Sequence, residues 1–389
     1  MFSTLLLLIL LMLTYAYAMF QGGFVSWFLF YCFLPFAVYA ALIFIYPLRE
    51  FKVTRVISPQ RISAGDQLIV KLELKRKMPF PLLFLIIEDI TPKEFNTQKS
   101  KQIIFLGFRR KYKLTYHIEQ VQRGEYTFEA IRLKTADALG LVEKESYLDC
   151  QDTILVYPEM VEMVYKPLES QFEQGGTVSA MQFQKNTSLV AGVRQYQPGD
   201  RFAWIDWKAT ARTNDMMSKE FEIRQSNDLL IVLDRTQSNN FELLVKFVAS
   251  TVRSNLKQGG QVGLFSVGEK MMFIPINGGE QQLHKLLHYL ASVDVIRDIH
   301  FTKLLLEEVT LYQQSANLLV VTSSLKRELI ENIGSSIRRK GAIYLIKKDG
   351  EILSREEEEL RILAFNSGIN IATIYESDFR TAFSEVRLA

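Results

Sequence analysis

"LLIVLDRTQS", residues 229–238, decides how the second half of this chain must fold. Five apolar residues in succession end on an acid, with no polar side chain among them to mark a solvent face. A strand of that kind is buried on both sides, as in a parallel sheet covered by helices. Downstream the pattern repeats. "ELLVKFVASTVRSNLKQGG" (242–260) carries its apolar residues at helical spacing and closes on a glycine pair. Further strands are predicted at 261–268, 271–276, 316–324, 342–348 and 370–376, with helices at 280–293, 302–314, 328–339 and 356–366. In such sheets ligands gather at the carboxyl ends of strands near the switch in strand order, which points to Asp234 and Ser323. Asp234, Thr236 and Ser238 alternate along one loop and offer three hard oxygen donors, part of what Mg²⁺ requires. The same residues also suit a strand-end turn leading into a helix cap.

Immediately upstream of this α/β region (226–389) stands the segment 159–225, centred on "GVRQYQPGDRFAWIDWKATAR" (192–212). Pro198 and Gly199 set a tight turn. Trp204 and Trp207 can bury large areas, and Arg194 and Arg212 can pair with Asp200 and Asp206, so the segment reads as an ion-paired clasp over an aromatic core. The catalytic alternative makes Asp200 and Asp206 paired acids with Arg212 as an anion clamp. Against it, the chain has no phosphate-binding Gly-x-x-x-x-Gly-Lys-Ser/Thr loop, no evident Ser-His-Asp arrangement and four histidines in all.

Residues 48–158 change period to short alternating runs, "KVTRVI", "QLIVKLELKR", "LLFLIIEDI", "KQIIFLGF", "KYKLTYHIEQV", "EYTFEAIRLKTA" and "TILVYP", separated by turn signals. Such strands predict an antiparallel sandwich of immunoglobulin-like type, a spacer or docking module. His117, alone in its strand, reads as a surface residue.

Residues 1–47 hold two uncharged runs, 4–20 and 24–46, joined by Gln21-Gly22-Gly23. Each can span a hydrocarbon core, which predicts a two-helix hairpin in the plasma membrane. A cleaved signal peptide is the rival for the first run, but Met1-Phe2-Ser3 supplies no basic side chain. Arg49, Lys52 and Arg55 follow the second run, while no Lys or Arg precedes either run, so the rest of the chain is expected in the cytoplasm.

The fold class expected is therefore α+β and multidomain. A net charge of +3, from 46 basic and 43 acidic residues, gives no footprint for nucleic acid. Two cysteines, Cys32 and Cys150, exclude a disulfide framework. His284 and His288 have the spacing of a zinc helix but flank Lys285 instead of a glutamate base, and "REEEEL" (355–360) reads as a solvated helix face.

Two resemblances add to this reading. "VLDRTQS" after a buried strand is similar to the Asp-x-Ser-x-Ser signature of von Willebrand factor A domains, with Thr236 at the first Ser. Those domains complete their metal site from two further loops. Here Ser323 or Ser324 follows Thr322 where an Asp-Gly would stand, and Asp298 or Thr302 offers no clean match, which implies a degenerate site. The 192–222 stretch resembles the signature of the family called domain of unknown function 58, matched by Arg194, Tyr196, Gly199, Asp200, Ile205, Trp207, Ala211, Arg212, Glu220 and Phe221. Position 202 is Phe, with Arg at 201. That resemblance implies the plan of membrane spans, β-rich domain and A-like domain. It also implies neighbours of two kinds, a MoxR-type AAA+ ATPase and a transglutaminase-like membrane protein. The expected function is a non-enzymatic, membrane-anchored adaptor whose partner surface is Arg194, Tyr196, Gly199, Asp200, Asp206, Trp207, Arg212 and Glu220. No cofactor is expected beyond an Mg²⁺ ion at Asp234, Thr236 and Ser238. The alternative is a hydrolase-like envelope enzyme using Asp200, Asp206 and Arg212.

Overall fold

The computed structural model describes residues 2–95, 98–140, 142–166, 190–197, 200, 202–221, 228–266, 272–296, 317–331, 341–367 and 369–383. The chain divides into two compact units, Met1–Glu159 with Leu287–Val293, and Met160–Leu286 with Asp294–Ala389.

The first unit opens with helices α1 (Phe2–Gln21) and α2 (Phe24–Ile45), between which Gly22 at φ 60° reverses the chain. They pack antiparallel, with the Tyr15 and Phe30 rings 5.7 Å apart and Leu7, Ala37 and Ala40 in one cluster. Of the two expected spans, α2 is long and apolar enough to cross a membrane; the described apolar run of α1, Leu6–Gln21, is shorter.

Eight strands follow: β1 (Lys52–Ser58), β2 (Ile62–Ser63), β3 (Leu68–Lys75), β4 (Leu85–Asp89), β5 (Lys101–Ile104), β6 (Lys111–Ile118), β7 (Gly124–Ala136) and β8 (Glu143–Tyr157). They form a three-stranded sheet, β1-β3-β6, and a five-stranded sheet, β2-β8-β7-β4-β5. Alternation explains the layers. β3 turns Leu68, Val70, Leu72 and Leu74 into a core that also holds Ile87, Phe128, Leu133 and Val156 of the other sheet. Two strands depart from the seven expected. β2 is a two-residue pairing parallel to β8, and β8 begins ten residues before "TILVYP", in the polar run "EKESYLDCQD".

Inside this core lies an ion pair that the sequence reading missed. Arg55, expected as a flanking cation after the second span, is buried. Its guanidinium donates to Asp89 at 2.6 and 3.2 Å and to Asp152 at 3.0 Å, above the Phe128 ring. Tyr116 also donates to Asp89, at 2.6 Å.

The second unit begins with an extended segment laid on a helix. Ser250 and Ser254 accept the backbone N–H groups of Val161 and Tyr165, both at 2.9 Å. An antiparallel pair, β9 (Val190–Gln195) and β10 (Met217–Phe221), encloses helix α3 (Trp207–Thr213). Then come β11 (Leu229–Leu233), α4 (Phe241–Lys257), β12 (Val262–Ser266), β13 (Met272–Asn277), α5 (Glu280–Ser292), β14 (Asn317–Thr322), β15 (Gly341–Lys347), α6 (Arg355–Asn366) and β16 (Asn370–Tyr375).

Six of these strands form one sheet in the order β13-β12-β11-β14-β15-β16, parallel except where β13 pairs with β12. Every residue of β11, β12 and β14 is buried, as continuous apolar runs require when both faces are covered. Leu230, Val232, Val320 and Leu345 meet Leu360 and Ala364 of α6 on one face. On the other, Phe247 of α4 packs on Tyr344. The edge strand β13 carries Pro275 and a register shift opposite Gly263, where a Cβ would stand 2.7 Å from Ile276 Cγ1. The expected helix 302–314 lies outside the described residues, as do Asp298, Thr302 and positions 332–339 of the expected helix 328–339.

Candidate functional site

Parallel pairing of β11 with β14, the two central strands, brings their carboxyl ends side by side, with Leu233 opposite Val321, so Asp234 and Thr322 meet at the carboxyl-end edge of the sheet. The Asp234 carboxylate is 4% exposed and engaged on both oxygens: Oδ1 accepts the Thr236 N–H at 2.9 Å and Oδ2 accepts the Thr322 hydroxyl at 2.7 Å. Ser238 Oγ accepts the Asn240 N–H at 3.1 Å, at the mouth of α4. Asp234, Thr236 and Ser238 thus share one loop, and two of them form turns and a strand-to-strand lock. Among the described residues no group of three His, Cys, Asp or Glu side chains could hold a metal. Among the described residues the site offers one carboxylate, already bonded at both oxygens, with Ser323 and Ser324 following Thr322, a donor set that fits a hard divalent cation poorly.

Next to this edge is a cluster that sequence reasoning did not find. Glu351, just past β15, accepts Asn240 Nδ2 at 2.7 Å, the Lys348 N–H at 3.1 Å and Lys347 Nζ at 3.1 Å; Lys347 also donates to Glu357 at 2.8 Å. Glu357 is buried, in a capping box with Ser354 at the start of α6, while Arg355, Glu356, Glu358 and Glu359 are exposed, so the solvated reading of "REEEEL" is corrected at Glu357 alone among its charged residues. The signal was legible as Ser354 with Glu three residues on. Burial pulls Lys347 down, but Glu357 and Glu351 outweigh it and hold the ammonium above its ordinary value.

The 192–212 stretch is organised by β9, β10 and α3. Arg194 Nη2 meets Asp200 Oδ1 at 2.7 Å, while the other Asp200 oxygen accepts the Gln197 N–H at 3.1 Å. The Tyr196 N–H donates to Met216 O at 2.8 Å, closing the β9–β10 turn. Asp206 is the N-cap of α3: Oδ1 accepts the N–H groups of Lys208 and Ala209, both at 3.1 Å. The expected pairing of Asp206 with an arginine is therefore replaced by a cap. Arg212 lies exposed on α3, and among the described residues no ion pair joins it to Asp200 or Asp206. Nor is Trp207 a core residue. It is 67% exposed and Phe202 75%, while Ile205 fills the interior instead. Glu220 lies in β10 opposite Gly192; its side chain and Gly199 lie outside the described residues. His284 is half-buried and His288 exposed, and His117 is exposed on β6.

A family model described as "Protein of unknown function DUF58" matches residues 192–351. The uncharacterized protein YeaD of Bacillus subtilis (strain 168) is 38% identical over 359 residues, which cover 90% of this chain and 90% of that protein. The chain belongs to the DUF58 family. The DUF58 match starts in β9 and ends on Glu351, so it takes in the Arg194–Asp200 pair, the α3 cap, the Asp234 carboxylate and the Lys347–Glu351 pair, and stops short of Glu357. An uncharacterized protein of Mycobacterium tuberculosis (strain ATCC 25618 / H37Rv) is 28% identical over 109 residues, 26% of this chain and 34% of that protein. Among solved structures, proximal thread matrix protein 1 of the mussel byssus aligns with a TM-score of 0.29 at 12% identity, over 41% of this chain and 46% of that one, too little to argue from.

Proposed function

We propose that this DUF58 chain is a membrane-anchored, non-enzymatic adaptor that docks a protein partner through residues 202–212. In this reading the N-terminal hairpin spans the plasma membrane, and the folded units, an immunoglobulin-like sandwich and a von Willebrand A-like domain with a degenerate metal site, lie in the cytoplasm. The observation that carries it is the exposure of Phe202, Trp207 and Arg212 within one short segment whose two carboxylates serve internal hydrogen bonds. Aromatic and arginine side chains in the open are the residue types that dominate binding energy in interfaces. A MoxR-type AAA+ ATPase is the first candidate partner, with a transglutaminase-like membrane protein beside it. The rival, hydrolysis by Asp200, Asp206 and Arg212, has less support, since a carboxylate capping a helix is poorly placed to exchange protons.

The test is co-purification from gently solubilised native membranes. The parent chain brings down an ATPase, and F202A/W207A lowers the recovery by roughly tenfold or more, the scale of an interface hot spot, with thermal unfolding unchanged. Recovery unaffected by the double substitution, or no ATPase with the parent chain, overturns the proposal.

A further inference from the structure

The sandwich is fastened alongside the last turns of α2. Tyr39 stands six residues before the end of that helix, about 9 Å along its axis. Its hydroxyl donates to Pro81 O at 3.1 Å and accepts the Leu83 N–H at 3.0 Å, and its ring stacks on Phe80 at 5.8 Å. Tyr46 donates to Met78 O at 3.0 Å, and Lys144 Nζ donates to the carbonyls of Phe44 and Tyr46 at 2.7 and 2.8 Å, closing the helix end. The loop 77–83 therefore lies level with the apolar helix.

A buried arginine joins a second loop to the first. Arg76 donates to Phe80 O at 2.7 Å, Arg109 O at 2.7 Å and Gly107 O at 2.5 Å, and Leu82 bridges Gly107. The paired loops turn part of their apolar surface outward: Phe105 is 76% exposed, Phe108 71%, and Met78 and Leu83 are exposed as well, while Phe80, Leu82 and Leu106 pack inward. Lys77, Arg109 and Arg110 are exposed among them, and no acidic residue occurs at 76–84 or 103–111. Aromatic and basic side chains held rigidly at the level of a spanning helix match an interface of apolar chains below and phosphates above.

We infer that the loops 77–83 and 105–110 form a lipid-binding foot, in which Phe105, Phe108 and Met78 enter an anionic monolayer while Lys77, Arg109 and Arg110 meet its headgroup phosphates. The inference rests on the reading of α2 as a membrane span. Full-length protein in vesicles of phosphatidylcholine and phosphatidylglycerol provides the test. Spin labels at Phe105→Cys, Phe108→Cys and Gln60→Cys, each in a C32S/C150S background, are compared with a label on the native Cys32 of α2 in C150S. Depth is read from collision with oxygen against a water-soluble nickel complex. The foot predicts that 105 and 108 favour oxygen, as Cys32 does, and that Gln60, beyond the far end of β1, favours nickel. It also predicts that K77Q/R109Q/R110Q makes 105 and 108 shallower in anionic vesicles. Labels at 105 and 108 that read like Gln60 while Cys32 reads as lipid overturn the foot and leave the anchor standing. If Cys32 also reads as water, the membrane reading itself fails.

Discussion

Glu351 shows how one side chain can tie together segments that the sequence keeps apart. Its partner Asn240 lies 111 positions upstream at the mouth of α4, and Lys347 links it to Glu357 at the start of α6. Burial pushes the Glu351 carboxyl up, but Asn240, the Lys348 N–H and Lys347 outweigh that and hold it below the usual carboxylate range. A carboxyl depressed in the folded state stabilises above its unfolded value and loses that contribution as pH falls through the folded one. Lys347, held high, contributes below the unfolded lysine value and loses its contribution as pH rises through the folded one. Thermal unfolding of E351Q should therefore fall less steeply than the parent's below about pH 4.3, with the two curves parallel near neutrality. An identical acid limb in both proteins would refute this role. At this scale the sequence was uneven. Asp234 at a strand end was legible, but Glu351 was not, because nothing local couples residues so distant. Asp206 invited an arginine partner, although "DWKATAR" also carries a helix-cap signal, and the nearer donors, the N–H groups of Lys208 and Ala209, take the carboxylate.

Strands and helices were easier to read than their contents. β1 has one fully buried position, Arg55, and the apolar alternation around it passes for an ordinary amphipathic strand. Burial alone would lower the Arg55 pKa, but Asp89 and Asp152 hold it above its ordinary value. Removing one partner from a buried pair strands the other, a loss of about 3–5 kcal/mol, whereas replacing the whole group by apolar residues of similar volume is often neutral. Chemical denaturation should then show D89A as severely destabilised and R55M/D89L/Y116F as close to the parent; a triple variant no better than D89A would show that the polar network itself is required. The continuous apolar strands of the six-stranded sheet were legible as such, since burial on two faces leaves no alternation to misread. The first half of β8 escaped because its outward positions are mostly charged and its inward ones mixed, and β2 because two residues carry no period.

For the molecule as a whole, hydropathy and periodicity made the order of elements legible: apolar helices, then strands in two antiparallel-rich sheets, then the strands and helices of an α/β sheet. How the signature's side chains divide between interior and surface depended on caps and turns that composition does not report. Among the described residues α2 is the helix long and apolar enough to span, so membrane retention should follow it even without α1. Alkaline carbonate extraction should leave the full chain, and a chain lacking residues 2–21, in the membrane pellet, and release one lacking 2–45. Retention of this last chain would transfer the anchoring to the sandwich. If α2 holds the chain in a bilayer, as proposed, neighbouring molecules collide in two dimensions, where any sheet with an open border invites its neighbour's backbone to extend it. The border strand β13, kinked opposite Gly263 and deprived of one donor at Pro275, offers such a neighbour no continuous ladder, so crowding on this flank need not become polymerisation.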